Sequence, residues 1–528
     1  MSFAFMIVRI LPETCRLVGN MPQNYVKKIL QAKVYDLAIE TPLDPAVRLS
    51  KRFENNIFLK REDLQPVFSF KIRGAYNRMA HLSDEEKKRG VVAASAGNHA
   101  QGVAMSAGKL GIQALIVMPK TTPPIKVEAV KCRGAKVVLK GDSYDEAYAH
   151  ALEVVKEKGG TFIHPFDEEL VIAGQGTIAM EVLRQHNAEL DYLFVPVGGG
   201  GLIAGISAYV KYVSPQTKVI GVEPEDAPTL YKALEAKRRV TLKQVGIFAD
   251  GVAVAQIGKE TFRIARQCVD DVVLVSTDEI CAAIKDVFDE TRTVAEPAGA
   301  LSVAGMKKYI SEHSLKDKNM VAIESGANIN FDRLRHVAER ADLGEKNEAL
   351  IAVEIPERPG SFLSFCKDLG KRGITEFNYR YDDNEKAQIF CGVELREGED
   401  EQKAIIKSLC DKGYNVVDLT ENEMAKLHIR YMVGGHAPQA TNEQVFRFVF
   451  PERPGALLDF LKGLTRGWNI SLFHYRNHGS AYGRVLLGIQ LKSSEKASFK
   501  RFLTDNGYAF TEETDNPAYQ LFVGSSSS

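Results

Sequence analysis

The C-terminal third of the chain repeats itself, and this repeat restricts the possible fold more than any other feature of the 528-residue sequence. Three short segments return about 95 residues later: Pro356-Glu-Arg-Pro-Gly360 as Pro451-Glu-Arg-Pro-Gly455, Phe377-Asn-Tyr-Arg380 as Phe473-His-Tyr-Arg476, and Gly413-Tyr414 as Gly507-Tyr508. The individual offsets are 95, 96 and 94 residues. A nearly constant offset means that one module is used twice, and we place the copies at residues 348–424 and 443–516.

Each copy shows the same succession of hydrophobic patterns. They predict strand, helix, strand, strand, helix and strand, which is the βαββαβ order of ferredoxin-like domains. The first strand of each copy runs into the Pro-Glu-Arg-Pro-Gly segment and then into a predicted helix, at 361–371 and 456–465. Exposed N–H groups at such a turn can bind the carboxylate of an amino acid. The alternative is that one or both modules serve only in contacts between subunits.

From about residue 40 to 335 the pattern is different. Short apolar runs such as 111–118, 192–197 and 218–223 alternate with helical patterns such as 145–158. This alternation predicts an α/β domain with a mostly parallel sheet covered by helices. We place this domain at residues 25–345, and we expect the polar segment 340–348 to be a linker to the first module.

Composition excludes several classes of partner and suggests a compartment. Lys plus Arg equals Asp plus Glu at 68 each, so we expect neither nucleic acid nor a membrane as the main partner. None of the seven cysteines forms a C-x-x-C pair, which favours the reducing cytoplasm, and we assign no residue to a metal. The apolar start of the chain is broken by Arg9 and is a poor signal peptide. Translation could begin at Met1 or at Met21.

Lys71 is the first residue with a chemical interpretation. It lies in Ser69-Phe70-Lys71-Ile72-Arg73-Gly74-Ala75, beside an aromatic residue and at the start of a predicted helix. Burial lowers the pKa of a lysine, and a neutral amine can form a Schiff base. Taken alone, however, the same segment also fits an ordinary solvated lysine.

A second segment, Ser95-Ala96-Gly97-Asn98-His99-Ala100-Gln101-Gly102, follows the apolar run 91–94. A strand that ends in a turn of small residues before a helix leaves backbone N–H groups free to bind an anion such as a carboxylate. Asn98 adds a neutral donor. The alternative for His99 is a residue at the start of a helix without a part in chemistry.

The third segment is Gly198-Gly199-Gly200-Gly201-Leu202, directly after the predicted strand 192–197. Four glycines leave no side chain in the way, so successive N–H groups can surround a phosphate, and the following helix adds the positive end of its dipole. The segment has neither the Gly-Lys-Ser/Thr of a Walker A loop nor the G-x-G-x-x-G spacing of dinucleotide-binding proteins. A flexible linker is a poor alternative between a strand and a helix.

The fourth segment, Glu324-Ser325-Gly326-Ala327-Asn328, follows the apolar run 320–323 and offers the neutral hydroxyl of Ser325. By itself it could be a simple turn or helix cap. The four segments are more informative together. A Schiff-base lysine, a phosphate-binding loop, an anion-binding turn and a neutral hydroxyl are the groups that a pyridoxal phosphate (PLP) site requires.

On these motifs, residues from about 25 to 516 resemble biosynthetic threonine dehydratase (threonine deaminase) of the tryptophan-synthase-β-like PLP family, fold type II, with tandem ACT-like modules. The resemblance implies that Lys71 forms the Schiff base with PLP and acts as the catalytic residue. Gly198, Gly199, Gly200, Gly201 and Leu202 would hold the phosphate. Asn98 would contact the ring hydroxyl and Ser325 the pyridine nitrogen.

The resemblance also implies where the substrate binds and how activity is controlled. The substrate carboxylate would lie on Ser95, Ala96, Gly97, Asn98, His99 and Ala100, and we suspect that Glu296 lines the same site. The reaction would convert L-threonine to 2-oxobutanoate and ammonia, and L-serine to pyruvate, as the first step of isoleucine biosynthesis. Isoleucine would inhibit through the C-terminal modules and valine would oppose it, in a homotetramer. Candidate effector residues near the repeated turns are Tyr379, Arg380, Tyr475 and Arg476.

Three alternatives remain on the sequence. Catabolic threonine or serine dehydratases and serine racemase share the PLP motifs but lack the tandem modules, so residues 349–516 count against them. A PLP-fold protein could also have become an amino-acid sensor without catalysis. The intact Lys71, Asn98 and glycine segment argue against that alternative.

Overall fold

A computed structural model describes residues 21–356, 365, 368–369, 374–381, 386–431, 442–451, 468–476, 482–505, 507 and 509–523. The described part of the chain divides into two compact units, the first ending at Asn330 and the second starting at Phe331. No helix in these ranges is both long and apolar enough to cross a membrane. The same ranges contain no group of three or more His, Cys, Asp or Glu side chains placed to hold a metal ion.

The first unit contains two sheets that are almost entirely parallel. The strands are β1 Leu43–Pro45, β2 Asn56–Arg61, β3 Val91–Ala94, β4 Ala114–Met118, β5 Lys136–Leu139, β6 Thr161–Phe162, β7 Tyr192–Pro196, β8 Lys218–Pro224, β9 Asp271–Val275 and β10 Asn319–Glu324. The six-stranded sheet has the order β1-β2-β10-β7-β8-β9, in which only β1 and β2 pair antiparallel. The four-stranded sheet has the order β5-β4-β3-β6.

Helices cover both sheets. They are Met21–Leu30, Val47–Phe53, Lys71–Ala80, Asp84–Arg89, Asn98–Leu110, Pro124–Lys131, Tyr144–Lys158, Glu169–Gln185, Gly201–Val213, Thr229–Glu235, Lys259–Cys268, Thr277–Thr291 and Pro297–His313, with single 3₁₀ turns at Glu62–Leu64 and Asp250–Val252. Every residue of β3 and β7 is buried, as expected for parallel strands covered on both faces. The predicted α/β class with mostly parallel sheets is confirmed, as is the predicted helix at 145–158 to within one residue.

The carboxyl ends of the strands carry three of the four segments singled out in the sequence. β3 leads into Ser95, β7 into Gly198 and β10 into Ser325. Ligands of open α/β sheets bind at this edge, because loops there surround a crevice and helix N-termini point into it. The fold therefore places the chemically interpreted residues where a ligand site is expected.

The second unit contains two four-stranded antiparallel sheets with the same topology. The strands are β11 Glu348–Pro356, β12 Ile374–Tyr381, β13 Lys386–Glu394, β14 Asn415–Asp418, β15 Glu443–Pro451, β16 Asn469–Arg476, β17 Tyr482–Gln490 and β18 Phe510–Glu512. The orders of the two sheets are β12-β13-β11-β14 and β16-β17-β15-β18, which is the order of a ferredoxin-like βαββαβ module. The helices are Arg333–Gly344, Glu399–Asp411, Glu423–Leu427, Lys496–Asp505 and Pro517–Phe522, with a 3₁₀ turn at Ile429–Tyr431.

Some predictions about the modules fall outside the described residues. The turns after Pro356 and Pro451, most of the helices predicted at 361–371 and 456–465, and the side chains of Tyr379, Arg380, Tyr475 and Arg476 belong to this group.

The linker predicted at 340–348 is wrong. The helix Arg333–Gly344 occupies its first half, and β11 begins at Glu348. The polar composition was misleading because charged residues of this helix, Arg333 and Arg340, are themselves buried together with Val337, Ala341 and Leu343. Within the second unit its Arg340 is bound by Glu423, with 2.6 Å between Nη2 and Oε1.

Candidate active site

Lys71 is the first residue of the helix Lys71–Ala80, and the residues before it are tied to the turn after β10. Ser69 pairs with Gly326 in an isolated antiparallel bridge, and the N–H of Phe70 donates to the carbonyl of Ser325 at 3.2 Å. Burial lowers the pKa of Lys71 to about 8, while the negative charge of Glu296 opposes this shift. An appreciable fraction of the amine is therefore neutral near physiological pH, as Schiff-base chemistry requires.

Four buried charged side chains hold the helix that begins at Lys71. Arg73 binds Glu62 and Glu181 through two pairs of hydrogen bonds, with N···O distances from 2.5 to 2.9 Å. Lys60 contacts Glu181 at 2.7 Å, and all four side chains are completely buried. Two positive and two negative charges balance, so Arg73 stays ionised although it lies in the core. Arg73 lies in the segment around Lys71, but its sequence context predicted no function for it.

The segment predicted to bind a carboxylate forms a turn and the start of a helix. Ser95, Ala96 and Gly97 form the turn, in which the N–H of Gly97 donates to Ser95 Oγ at 3.2 Å. Asn98, His99 and Ala100 form the first turn of the helix Asn98–Leu110. The N–H groups in the first turn of a helix have no partner within the helix, and the helix end is positive, as an anion site requires.

His99 is neutral in this structure. Its Nε2 lies 2.9 Å from the carbonyl of Ile163, which can only accept a hydrogen bond, so the ring proton is on Nε2. Burial lowers the pKa of His99 to about 3. The imidazole therefore brings no positive charge to the turn.

Asn98 is held between two polar side chains. Its Nδ2 donates to Glu296 Oε1 at 2.6 Å, and its Oδ1 accepts from Asn328 Nδ2 at 2.7 Å. Glu296 is buried, with 4% of its surface exposed, and precedes the helix Pro297–His313. These contacts fix the orientation of the Asn98 amide and bring Glu296 next to both Asn98 and Lys71.

Ser325 lies at the end of β10 and is buried, with 3% of its surface exposed. Its Oγ donates to the carbonyl of Ala298 at 3.1 Å, and its N–H donates to Gly299. A hydroxyl can rotate between acceptors. Ser325 is thus a neutral donor that can turn from Ala298 toward a ligand nitrogen.

The tetraglycine loop joins β7 to the helix Gly201–Val213, whose start agrees with the prediction to one residue. A Cβ on Gly199 would stand 2.2 Å from the ring of Phe166, and Gly200 has a φ of +90°. The loop also lies beside the site. A Cβ on Gly198 would be 2.8 Å from Val252, and the residue before Val252, Gly251, packs against Glu296.

The donors of the loop fit a phosphate. Among the described residues no protein acceptor binds the N–H groups of Gly198 through Leu202, although four of these five residues are buried. Buried N–H groups are almost always paired, so this set points to a ligand acceptor. The helix dipole adds a positive end at the same place. The residues present therefore fit the phosphate of PLP.

Several residues of this site carried no sequence signal of their own. Phe166 follows β6, Thr229 follows β8, and Thr261 lies in the helix Lys259–Cys268. They lack a motif, but the rule that parallel strands end at one edge would have drawn attention to the segments after β6 and β8.

Family models and relatives agree with this site. The model described as pyridoxal-phosphate dependent enzyme matches residues 34–326, which defines the class of the chain. The model described as the C-terminal regulatory domain of threonine dehydratase matches twice, at residues 339–429 and 434–523. The biosynthetic L-threonine dehydratase of Burkholderia multivorans is 55% identical and that of Escherichia coli 54%, over 95% of this chain and 99% and 97% of theirs. The chain belongs to the family of biosynthetic threonine dehydratases.

Solved structures match about three fifths of this chain. The processed threonine deaminase isoform 2 of Solanum lycopersicum has a TM-score of 0.60 and 50% identity over 61% of this chain and 93% of its own. Maize serine racemase has a TM-score of 0.56 and 32% identity over 60% of this chain and 96% of its own. The fold type II prediction is confirmed, and so is the dependence on PLP.

Proposed function

We propose that this chain converts L-threonine to 2-oxobutanoate and ammonia with PLP, and L-serine to pyruvate, as the first step of isoleucine biosynthesis. The observation that supports this most directly is the buried amine of Lys71, with a pKa of about 8, beside Glu296, together with a glycine loop whose N–H groups meet no protein acceptor among the described residues. Relatives named biosynthetic threonine dehydratase align over nearly the whole chain.

The binding steps use backbone and neutral groups. Gly198 through Leu202 hold the phosphate, and the turn from Ser95 to Ala100 holds the substrate carboxylate. Asn98, oriented by Glu296 and Asn328, would contact the ring hydroxyl of the cofactor. When bound, PLP supplies an electron sink for the carbanion that forms at the α-carbon of the substrate.

Lys71 moves the proton. Its buried amine has a pKa of about 8 without the cofactor, which is suitable for a base that would take the α-proton of the substrate. Ser325 would offer only a hydroxyl to the ring nitrogen of the cofactor and could not protonate it as a carboxylic acid would. A ring held in this way would be a weaker electron sink, which favours loss of the β-hydroxyl over transfer of the amino group.

The C-terminal modules make the enzyme respond to an amino acid, as their match to the regulatory domain indicates. We propose isoleucine as the inhibitor and valine as its opponent, acting on a cytoplasmic homotetramer. An effector of this kind typically changes affinity with a coupling free energy of about 1–3 kcal/mol. The two regulatory matches also argue against serine racemase and the catabolic dehydratases.

Substitution of the Schiff-base lysine tests the assignment. K71A should lose turnover of threonine and the visible absorption of bound PLP, whereas K109A, at an exposed position of the same unit, should keep both. Rates of 2-oxobutanoate formation, with and without isoleucine, and absorption spectra give the answer. A K71A protein with turnover and visible absorption would refute the role of Lys71, and wild-type protein that binds isoleucine without turnover would make the chain a sensor.

A further inference from the structure

Two buried threonines hold the carbonyl groups of the tetraglycine loop. Thr229 Oγ1 lies 3.1 Å from the carbonyl oxygen of Gly198, and Thr261 Oγ1 donates to that of Gly199 at 2.7 Å. Both threonines are completely buried. Neither belongs to the loop or to any segment singled out in the sequence.

Peptide geometry links these carbonyls to the phosphate donors. In a trans peptide the C=O of one residue and the N–H of the next lie in one plane and point in opposite directions. A hydroxyl that fixes the carbonyl of Gly198 thus directs the N–H of Gly199 to the opposite side. In the same way, Thr261 fixes the direction of the N–H of Gly200.

Glycine backbone needs such a restraint. Without Cβ atoms a run of glycines has many accessible conformations, and Gly200 adopts a left-handed φ of +90°. We infer that Thr229 and Thr261 are positioning residues that aim the N–H groups of Gly199 and Gly200 at the cofactor phosphate. This inference rests on the proposed phosphate site.

Each threonine is itself held by a carboxylate. Glu223 lies 2.8 Å from Thr229 Oγ1 and accepts the N–H groups of Leu230 and Tyr231. The hydroxyl has a single proton, which is directed to Gly198 when the carboxyl of Glu223, whose pKa burial raises to about 7, is protonated and donates to Oγ1. Asp167 accepts the N–H groups of three residues at the start of the helix that carries Thr261, namely Lys259, Glu260 and Thr261. These contacts fix the starts of the two helices that carry the threonines.

The chain offers a matched control for removal of such a hydroxyl. Thr217 is also completely buried and donates to a backbone carbonyl, that of Leu190, at 2.8 Å. It precedes β8, at the opposite end of the strand from Thr229. T217V thus removes a similar hydrogen bond away from the loop.

Affinities for PLP and for pyridoxal, which lacks the phosphate, separate a phosphate effect from a general one. Cofactor-free wild type, T229V, T261V and T217V are titrated with each compound by equilibrium dialysis. Each of T229V and T261V should bind PLP about tenfold more weakly, the effect of one hydrogen bond. Their affinity for pyridoxal should be unchanged, T217V should resemble wild type, and T229S and T261S should restore PLP binding.

The possible failures are distinct. If T229V and T261V bind PLP as tightly as wild type does, the threonines do not position the phosphate donors. If both compounds bind more weakly by the same factor, the threonines are merely structural, and the inference fails. If wild type itself does not prefer PLP, the loop is not the phosphate site, and the proposed site fails instead. Should a valine variant not fold, T229A and T261A, which add no methyl group, give the same comparison.

Discussion

Burial acts in one direction on the three titratable nitrogen groups around the Schiff-base position. It lowers the pKa of Lys71 to about 8, that of His99 to about 3 and that of His164 to about 4. Near neutral pH both imidazoles are therefore neutral, and part of the Lys71 amine is neutral as well. Positive attraction for phosphate and carboxylate must come from backbone N–H groups and helix ends, which carry partial charges that do not titrate.

The pKa of Lys71 gives a prediction for cofactor-free protein. Only the neutral amine reacts with acetic anhydride, so the rate of acetylation at Lys71 should rise with pH with a midpoint near 8. Because the charge of Glu296 raises this pKa, E296Q should move the midpoint to lower pH. Mass spectrometry of the Lys71 peptide across a pH series measures both values, with E189Q as the control. A midpoint near that of a free lysine, about 10.4, would contradict the burial argument.

At the scale of elements, the helix from Lys71 to Ala80 is fixed by charges and not only by apolar packing. Arg73 connects it to the helix Glu169–Gln185 through Glu181 and to the turn after β2 through Glu62. A buried ion network contributes little compared with an apolar core of the same shape, but removal of one partner is costly because the remaining charges stay buried. The network therefore specifies one position for the helix.

Removal of Arg73 tests that argument. R73M leaves Glu62 and Glu181 with Lys60 as the single positive charge of the network, and we expect a loss of about 3–5 kcal/mol in the free energy of unfolding. The exposed R89M should change it by less than about 0.5 kcal/mol. Urea unfolding followed by circular dichroism measures both. Equal stabilities of the two variants would show that the network does not fix the helix.

Elements that carry a motif or a strict period were predictable from the sequence. The start of the helix after the tetraglycine loop, the parallel sheets and the strand order of both modules agree with the structure. Thr229 and Thr261 were not predictable, because they act through loop carbonyls that approach them only in the folded chain. The prediction of a linker at 340–348 failed for another reason, because a high proportion of charged residues does not distinguish a loop from a helix.

The two modules share a hydrophobic core in addition to the separate core that each of them has. Leu350 and Phe390 of the first copy pack in a single cluster with Val445 and Leu486 of the second copy. Phe522, in the helix Pro517–Phe522 after the second copy, belongs to the same cluster. Asn422 and Asn516, at the starts of the two corresponding short helices, also contact each other at 3.2 Å. A repeat with a common core behaves as one cooperative body, so the modules form a pair and not two independent domains.

The helix Arg333–Gly344 belongs to this pair, and that fact decides where the regulatory part can be removed. Its Leu343 lies in the shared core, and its Arg340 binds Glu423. A chain cut near residue 345 would keep a helix whose buried Leu343 and Arg340 have lost these partners. A chain that ends at Asn330, the last residue of the first compact unit, removes the helix together with the modules.

The two cuts therefore give different expectations. The chain 1–330 should turn over threonine without inhibition by isoleucine, because the lysine, the loop and Ser325 all lie within it. The chain 1–345 should be equally insensitive to isoleucine but aggregate more, since its last helix exposes an apolar face. Threonine assays across an isoleucine series and light scattering of both proteins make the comparison. Inhibition that persists in the chain 1–330 would move the effector site into the PLP-binding unit.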